Sequence, residues 1–291
     1  MHDSESEWLA ERFEAHRSHL RAVAYRMLGS LPEADDAVQD AWLRVSRAGA
    51  GEVENLGGWL TTIVARVCLN MLRTRDRRRE ESLEDHLPDP VVSPAGELQP
   101  ENEALLADSV GLALQVVLDT LSPAERLSFV LHDLFELPFD EIAPMVGRSS
   151  EAARQLASRA RRRVRGVEIQ GADQDPRRQR EVVDAFYRAA RDGDLAGLIA
   201  VLDPDVVLRA DYGPKRPVQV FRGAEAVAGQ SRGIPGAEVR PALVNGTAGA
   251  VIVVRGRPFA VMGFSVVAGR IVEIDVIVDP ARVARIAASV L

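Results

Sequence analysis

Arginine is the residue type with the most evident chemistry in this chain, and it is concentrated in two stretches. Residues 59–79 contain six arginines and one acid, and residues 148–165 contain seven arginines and one acid. Guanidinium groups at this density suit contact with phosphates, because each neutralised phosphate releases counterions. The pattern favours a polyanionic partner, although the net charge of the 291-residue chain is −7.

The first arginine-rich stretch falls on a predicted amphipathic helix. Between Leu56 and Arg75, apolar residues recur three or four positions apart, which indicates one buried face. The opposite face carries four polar residues, Thr62, Arg66, Asn70 and Arg73. Five of the seven residues at positions 73–79 are arginine, and we expect no nearby acids to pair with them. The helix is therefore expected to contact phosphates, while Trp59 at its start is expected to pack in the core.

The second stretch has the pattern of a helix-turn-helix. A short helix over Phe139–Val146 is predicted to end at Gly147, and Ser149 or Ser150 can cap the next helix, Glu151–Arg165. The second helix of such a motif enters the major groove, and its N-terminal side chains reach base edges. The candidates for base contacts are Ser150, Arg154 and Gln155. The candidates for phosphate contacts are Arg159 and Arg162. A helical hairpin with a solvated arginine face is the alternative.

Composition divides the chain into two helical domains, a linker and a C-terminal domain. Helical spacing covers residues 8–80 and 105–168, and residues 81–104 between them form an acidic, proline-containing linker. Residues 176–291 begin with a helix and continue as β-rich runs separated by glycines. These runs are Val206–Leu208, Val218–Phe221, Ala250–Val254, Phe259–Val267 and Ile271–Val278. We therefore expect two all-α domains followed by an α+β domain with a curved sheet packed on helices.

Several kinds of site are excluded by what the sequence lacks. Cys68 is the only cysteine, which excludes an intramolecular disulfide and a cysteine-based zinc site. The sequence has no phosphate-binding glycine loop, HExxH motif or nucleophile elbow, and its C-terminal half has no histidine. We therefore expect no cofactor, no metal and no enzyme activity. No apolar run is long enough to span a membrane, so we expect a soluble, cytoplasmic protein.

Three stretches resemble bacterial RNA polymerase sigma factors of the extracytoplasmic-function (ECF) group, in the sigma-70 family. Residues 34–44, ADDAVQDAWLR, resemble the helix that binds core polymerase, written A-E-D-x-x-Q-[DE]-x-[FW]-[LI]-[RK]. Residues 58–73 resemble the −10 helix, which begins W-L-x-x-I, and residues 122–165 resemble the domain that reads the −35 element. Together these stretches cover roughly residues 8–168.

The resemblance implies a role for each stretch. The residues that would dock on core polymerase are Asp36, Gln39, Asp40 and Trp42. Those that would face the −10 element are Trp59, Thr62, Arg66, Asn70 and Arg73, although the family commonly has Asn at position 66 and Asp at position 70. The linker would thread toward the active centre of the polymerase. Since residues 81–125 contain ten acids and no base, this segment could imitate RNA electrostatically.

The C-terminal half resembles the SnoaL-like domain of one ECF subgroup, through the pattern F-x-A…G-D-L…L-x-P-D-V…D between Phe186 and Asp211. The linker motif W-L-P-E-P of that subgroup is matched by residues 86–90 except at His86. Its D-G-G-G-K motif is matched only at Asp211, Gly213 and Lys215, and N-P-D-K-L only loosely by residues 279–283. The resemblance implies a regulatory domain that packs against the linker and the sigma domains and replaces a separate anti-sigma factor.

Within this domain, Asp211, Tyr212 and Lys215 are predicted to form an interdomain contact loop or, as the alternative, to line a cavity for a small ligand. The whole chain is predicted to be a promoter-specificity subunit, with core RNA polymerase and promoter DNA as partners and no membrane contact. Two other functions stay open from the residues alone. One is a ligand-gated helix-turn-helix regulator that acts without polymerase, and the other is an enzyme with a basic appendage.

Overall fold

The protein is described by a computed structural model that covers residues 2–48, 53, 55–81, 86–95, 111–165, 175–231 and 233–291. The chain forms two compact units. The first comprises Met1–Ser82, Pro100–Asp108 and Val117–Gly166, and the second comprises Leu83–Gln99, Ser109–Val116 and Val167–Leu291. The fold class agrees with the prediction of helical domains followed by an α+β domain.

Three helices begin the first unit: α1 (His2–Leu28), α2 (Leu31–Ala48) and α3 (Leu56–Glu81). The apolar residues that recur at helical spacing in α2 are fully buried against its neighbours, and they are Ala34, Ala37, Val38, Ala41 and Val45. Helix α3 continues six residues beyond the predicted end at Arg75, because nothing in the sequence from Asp76 to Glu81 is a helix breaker. The predicted linker therefore starts inside a helix.

The remaining helices of the first unit follow α4 (Gly111–Asp119), which spans the division between the units. They are α5 (Pro123–Phe129), a π-helical segment at Val130–Leu134, α6 (Phe139–Val146) and α7 (Ser150–Arg165). Ser122 and Glu125 form the capping box at the start of α5. Gly147 ends α6 at a φ of 69°, in the left-handed region that glycine tolerates. The helical spacing predicted from Leu105 to residue 110 lies outside the described residues.

The second unit is a seven-stranded sheet with helices. Its strands are β1 (Val92–Pro94), β2 (Leu202–Asp211), β3 (Gln219–Arg222), β4 (Ala237–Val244), β5 (Thr247–Val254), β6 (Arg257–Val267) and β7 (Arg270–Ile277), in the order β1-β4-β5-β6-β7-β2-β3. Among the pairings of these described strands, only β2–β7 is parallel. The helices are α8 (Pro176–Asp192), α9 (Leu195–Val201), α10 (Ala224–Gln230) and α11 (Pro280–Ile286).

The central strands of the sheet, β5, β6 and β7, are largely buried on both faces. One face packs with Phe186, Leu198 and Val227 from α8, α9 and α10. The other face packs with Val283 of α11 and with Leu87 of the linker. A two-sided core explains why β5 and most of β6 read as continuous apolar runs rather than as alternating ones.

Two strands were missed by sequence reasoning. Strand β1 lies in the acidic linker, where it pairs antiparallel with β4 through Val92 and Val244. Strand β4 was missed because Pro241 and charged residues interrupt its apolar pattern, yet Asn245-Gly246 marks the hairpin that joins it to β5. Both residues have positive φ, 50° and 79°, as a two-residue turn of this kind requires.

Candidate nucleic-acid interface

The N-terminus of α7 is fixed by two serines. Ser149 caps the helix by accepting a hydrogen bond from the Ala152 backbone N–H at 3.2 Å, and the Ser150 hydroxyl donates to Asp140 of α6 at 2.6 Å. Ala153, Ala157 and Ala160 of α7 are buried, so the helix presents its polar residues outward. Of the predicted contact residues, Arg154, Gln155, Arg159 and Arg162 are exposed and Ser150 is half-buried.

Three arginines of α7 are anchored to the preceding helices. Arg161 binds Asp133 at 2.7 Å, and Arg163 and Arg159 lie 2.9 and 3.4 Å from the carboxylate of Glu125. Burial raises the pKa of Glu125, but hydrogen bonds from Ser122 and the charges of Arg163 and Arg159 outweigh it and hold that pKa below its ordinary value. The capping-box carboxylate therefore also attaches α7 to α5.

Arg154 and Arg162 form no ion pair with any residue that the structure describes. The guanidinium of Arg154 lies over the ring of Phe139 instead, and the Cζ atom of Arg154 is 5.4 Å from the ring centroid. Among the arginines of α7 whose side chains the structure describes, these two exposed residues have charge available to another molecule.

The exposed face of α3 carries Arg66, Asn70 and Arg73, while Thr62 is half-buried and its hydroxyl donates to the Gly58 carbonyl at 3.0 Å. Trp59 is also half-buried. The prediction that no acid pairs with the arginines after position 73 is wrong for Arg75, which binds Glu33 of α2 and donates to the Leu28 carbonyl. Glu33 precedes Arg75 by 42 residues in the sequence, and the fold brings the two side chains together. Counting charges within a short stretch of sequence could not predict this pair.

The polar face of α2 holds Asp36 and Gln39, which are exposed, and Asp40, which binds Arg44 at 2.8 Å. Trp42 is half-buried with its ring 5.0 Å from that of Phe13 on α1. The face therefore offers carboxylates to a partner, and the indole mainly joins α2 to α1.

In the second unit, part of the predicted linker is held by a linker clamp, which we define as Asp211, Arg282 and Arg285. Arg282 donates to the Asp89 carboxylate at 2.7 Å, to the Leu87 carbonyl at 2.5 Å and to Asp211 at 2.5 Å. Arg285 adds a second contact to Asp89 at 2.6 Å. The clamp therefore forms hydrogen bonds with both backbone and side-chain groups of the linker.

Asp211 is the centre of the clamp and is fully buried. It accepts backbone N–H groups from Leu87 and Gly213, each at 2.8 Å, besides the guanidinium of Arg282. Burial raises its pKa, but these hydrogen bonds and the charge of Arg282 outweigh burial and leave the pKa of Asp211 below its ordinary value. The carboxylate is thus kept ionised by the segments that it connects.

A second set of contacts fixes the linker as a strand. Asn245 binds Val91 twice, since its side-chain oxygen accepts from the Val91 N–H at 2.7 Å and its own N–H donates to the Val91 carbonyl at 2.8 Å. The Ser289 hydroxyl donates to the Val92 carbonyl at 2.7 Å. Residues 86–94 therefore belong structurally to the C-terminal domain.

The predicted loop residues separate in the structure. Asp211 contacts the linker, whereas Tyr212 and Lys215 are exposed, and Tyr212 lies beneath the guanidinium of Arg216. Sequence reasoning missed Arg282, Arg285 and Asn245 as linker contacts. The available signals were the drifted motif at residues 279–283, which contains Arg282, and the Asn-Gly pair at 245–246.

A buried ionic cluster on the sheet was also missed. Arg209 of β2 binds both Glu273 and Asp275 of β7. Burial and the neighbouring charge of Glu273 raise the pKa of Asp275 to about 7, against the opposing charge of Arg209. Among the described residues, no group of three or more histidines, cysteines and acids is arranged to hold a metal ion. No described helix is long and apolar enough to cross a membrane.

The chain matches two family models, Sigma-70 region 2 over residues 12–78 and Sigma-70 region 4 over residues 111–164. It is 39% identical to the ECF RNA polymerase sigma factor SigJ of Mycobacterium tuberculosis, over 91% of this chain and 86% of the relative. It is 35% identical to the probable ECF RNA polymerase sigma factor SigI of the same species, over 95% of each chain.

The crystal structure of SigJ from M. tuberculosis superposes with a TM-score of 0.73 at 34% identity, covering 94% of this chain and 97% of that one. The matches to SigJ and SigI cover most of the length of each relative, and both relatives are sigma factors. Nothing in these matches favours a regulator that acts without polymerase. The chain therefore belongs to the ECF RNA polymerase sigma factors and is of the SigJ-like type, a transcription initiation factor with a C-terminal domain of sheet and helices.

Proposed function

We propose that this sigma factor docks on core RNA polymerase through the polar face of α2, with Asp36, Gln39 and Asp40 as the contacting side chains and Trp42 as the residue that holds the helix in place. The exposure of Asp36 and Gln39 and the contact of the half-buried Trp42 ring with Phe13 support this division of roles. A surface of carboxylates suits a basic partner surface and speeds docking by electrostatic attraction.

For promoter DNA, the exposed face of α3 would meet the −10 element and α7 the −35 element. Arg66, Asn70 and Arg73 support the first assignment because they are exposed on one face. Trp59 and Thr62, near the start of α3, are half-buried. We assign them to the edge of the DNA-facing surface, where they would hold the exposed residues in position. For the −35 element, Ser150, Arg154 and Gln155 would reach bases, and Arg162 would bind a phosphate directly. Arg159 would bind a phosphate in exchange for the Glu125 carboxylate, which lies 3.4 Å from it in the structure.

The first unit would have to open before both promoter elements are read. Helix α5 contacts α1 through Arg126, which is buried and donates to the Arg26 carbonyl at 3.1 and 3.2 Å. A compact unit of roughly 140 residues has a radius of gyration of about 14 Å. Two elements ~25 base pairs apart lie ~85 Å apart at a rise of 3.4 Å. One compact unit does not span that distance.

The C-terminal domain would inhibit initiation in cis by holding the linker. The observation that carries this proposal is the pairing of Val92–Pro94 with β4, reinforced by the linker clamp on Leu87 and Asp89. By resemblance, this segment threads toward the active centre of the polymerase during initiation. A segment bound in the sheet is not free to do so, and a separate anti-sigma factor would then be unnecessary.

We assign this domain to binding rather than catalysis. Its buried carboxylates are Asp211, Glu273 and Asp275, and each is bound to an arginine and shielded from solvent, so none is exposed to a substrate. A small ligand would regulate the protein only if it bound the linker-held and linker-free states with different affinities.

The test is run-off transcription by full-length protein with core polymerase. Arg282→Met removes three linker-clamp contacts, and we expect it to raise the initial rate from a cognate promoter several-fold without moving the start site. Arg188→Met is the matched control, since Arg188 is an exposed arginine on α8, and its rate should equal that of the wild type. An unchanged or lower rate for Arg282→Met would show that linker capture does not inhibit.

A further inference from the structure

Arg154, the candidate base-reading residue, is supported by two aromatic rings from outside its own helix. Its guanidinium lies over Phe139, the first residue of α6, and the ring of Phe139 is in turn stacked against His132. The two ring centroids are 3.9 Å apart and the ring planes differ by 32°. A guanidinium at 5.4 Å from an aromatic centroid is within the range of a cation–π interaction.

His132 is itself fixed by the π-helical segment. Its Nδ1 lies 3.0 Å from the Leu137 carbonyl, and because a carbonyl only accepts, Nδ1 carries the proton and donates. The next residue, Asp133, binds Arg161 of α7. Two consecutive residues of one π-helical turn therefore act on α7, one directly and one through Phe139.

We propose that Phe139 and His132 are positioning residues that set the direction in which Arg154 reaches one base pair of the −35 element. This rests on the proposed role of α7 in reading that element. A long arginine side chain loses conformational freedom when it binds a base, and a stack that already restricts it reduces this loss. Bidentate recognition of a base edge also requires the planar guanidinium to be correctly oriented.

The experiment is transcription by full-length protein with core polymerase from a template library whose −35 region is randomised, with the transcripts sequenced. Arg154→Ala should flatten the base preference at one position. Phe139→Leu should weaken the preference at that same position by roughly 2- to 5-fold, the size of a cation–π contact at an exposed site. Phe139→Tyr keeps the ring and should keep the preference. Arg162→Ala should reduce transcription equally for all sequences.

A second pair of variants covers the case in which Phe139→Leu does not fold, as judged by its thermal melting curve. His132→Phe keeps the ring contact but loses the hydrogen bond to the Leu137 carbonyl, so it should weaken the preference at the Arg154 position less than His132→Ala, which removes both. If Arg154→Ala flattens that position but the Phe139 and His132 variants leave it unchanged, the positioning proposal is overturned and the −35 role of α7 stands. If Arg154→Ala lowers all sequences equally, the base-reading role itself fails.

Discussion

At the scale of single residues, the buried carboxylate of Asp211 depends on its partners. The groups that bind this carboxylate come from the linker, from its own turn and from α11. The ionisation of Asp211 is therefore coupled to the binding of the linker by the C-terminal domain. The D-G-G-G-K resemblance pointed to this residue, but the sequence did not say that Arg282, 71 residues later, would neutralise it. A buried charge without that partner is costly, so the two residues depend on each other.

We predict that Asp211→Asn destabilises the protein by about 3 kcal/mol at neutral pH, because it leaves the Arg282 guanidinium without one buried partner. The pKa of Asp211 is lowered in the folded state, so its contribution is fully present above the ordinary value of 3.8 and is lost as pH falls below that value. Urea unfolding of the variant and the wild type from pH 7 down to pH 3 measures both effects.

Asp205→Asn is the control for this substitution, since Asp205 is an exposed carboxylate at the start of the same strand. It should change stability by less than ~0.5 kcal/mol. A stability difference between Asp211→Asn and the wild type that stays constant across this pH range would contradict the assignment of an ionised Asp211.

At the scale of elements, helix α7 shows two classes of arginine that the sequence does not distinguish. Arg161 and Arg162 are neighbours in the chain, yet Arg161 is bound to Asp133 and Arg162 is exposed. Helical geometry rotates successive residues by about 100°, so adjacent side chains have different surroundings. Only exposed arginines such as Arg162, which no described acid pairs with, have charge available to neutralise a phosphate.

We predict that Arg162→Ala lowers the salt dependence of promoter binding by the polymerase holoenzyme, because one phosphate contact is lost. The slope of log K against log salt should decrease in magnitude by about 0.9. Arg161→Ala should leave the slope nearly unchanged and lower the melting temperature instead. Titrations at several salt concentrations distinguish the two, and equal slopes for both variants would refute the division into two classes.

Element prediction succeeded where local signals suffice and failed where pairing is distant. The capping box Ser122–Glu125 and the boundaries of α6 followed from the sequence, because caps and glycine turns act within a few residues. Strand β1 did not, since three residues in an acidic, proline-containing segment become a strand only when β4 offers an edge. Asn245 was overlooked for the same reason, because its contact with Val91 spans 154 residues.

At the scale of the whole molecule, the packing of α5 against α1, together with the proposed roles of α3 and α7, implies a conformational change during initiation. The first unit holds the −10 and −35 candidate helices in one compact body. Core polymerase must bind the open form more tightly than the closed form if it is to shift this equilibrium. The opening is therefore an expected consequence of docking.

We predict that core polymerase increases the distance between α3 and α7. Cysteines introduced at Thr74 and Glu151, both exposed, can carry a fluorophore pair. The native Cys68 is buried, and burial raises the pKa of its thiol, so it should not compete for the label. Energy transfer should be high in the free protein and fall on addition of core polymerase. Unchanged transfer at saturating core polymerase would contradict the opening.

The sequence by itself determined the helical regions, the helix-turn-helix and the α+β character of the C-terminal half, because helical periodicity, caps and turns are encoded within short windows. It also placed the arginines that carry the candidate DNA contacts. Only the tertiary structure decided which arginines are neutralised, which acid is buried and where the linker goes. Those outcomes depend on pairs of charges and strand edges that meet across tens to hundreds of residues, and no local pattern specifies such a meeting.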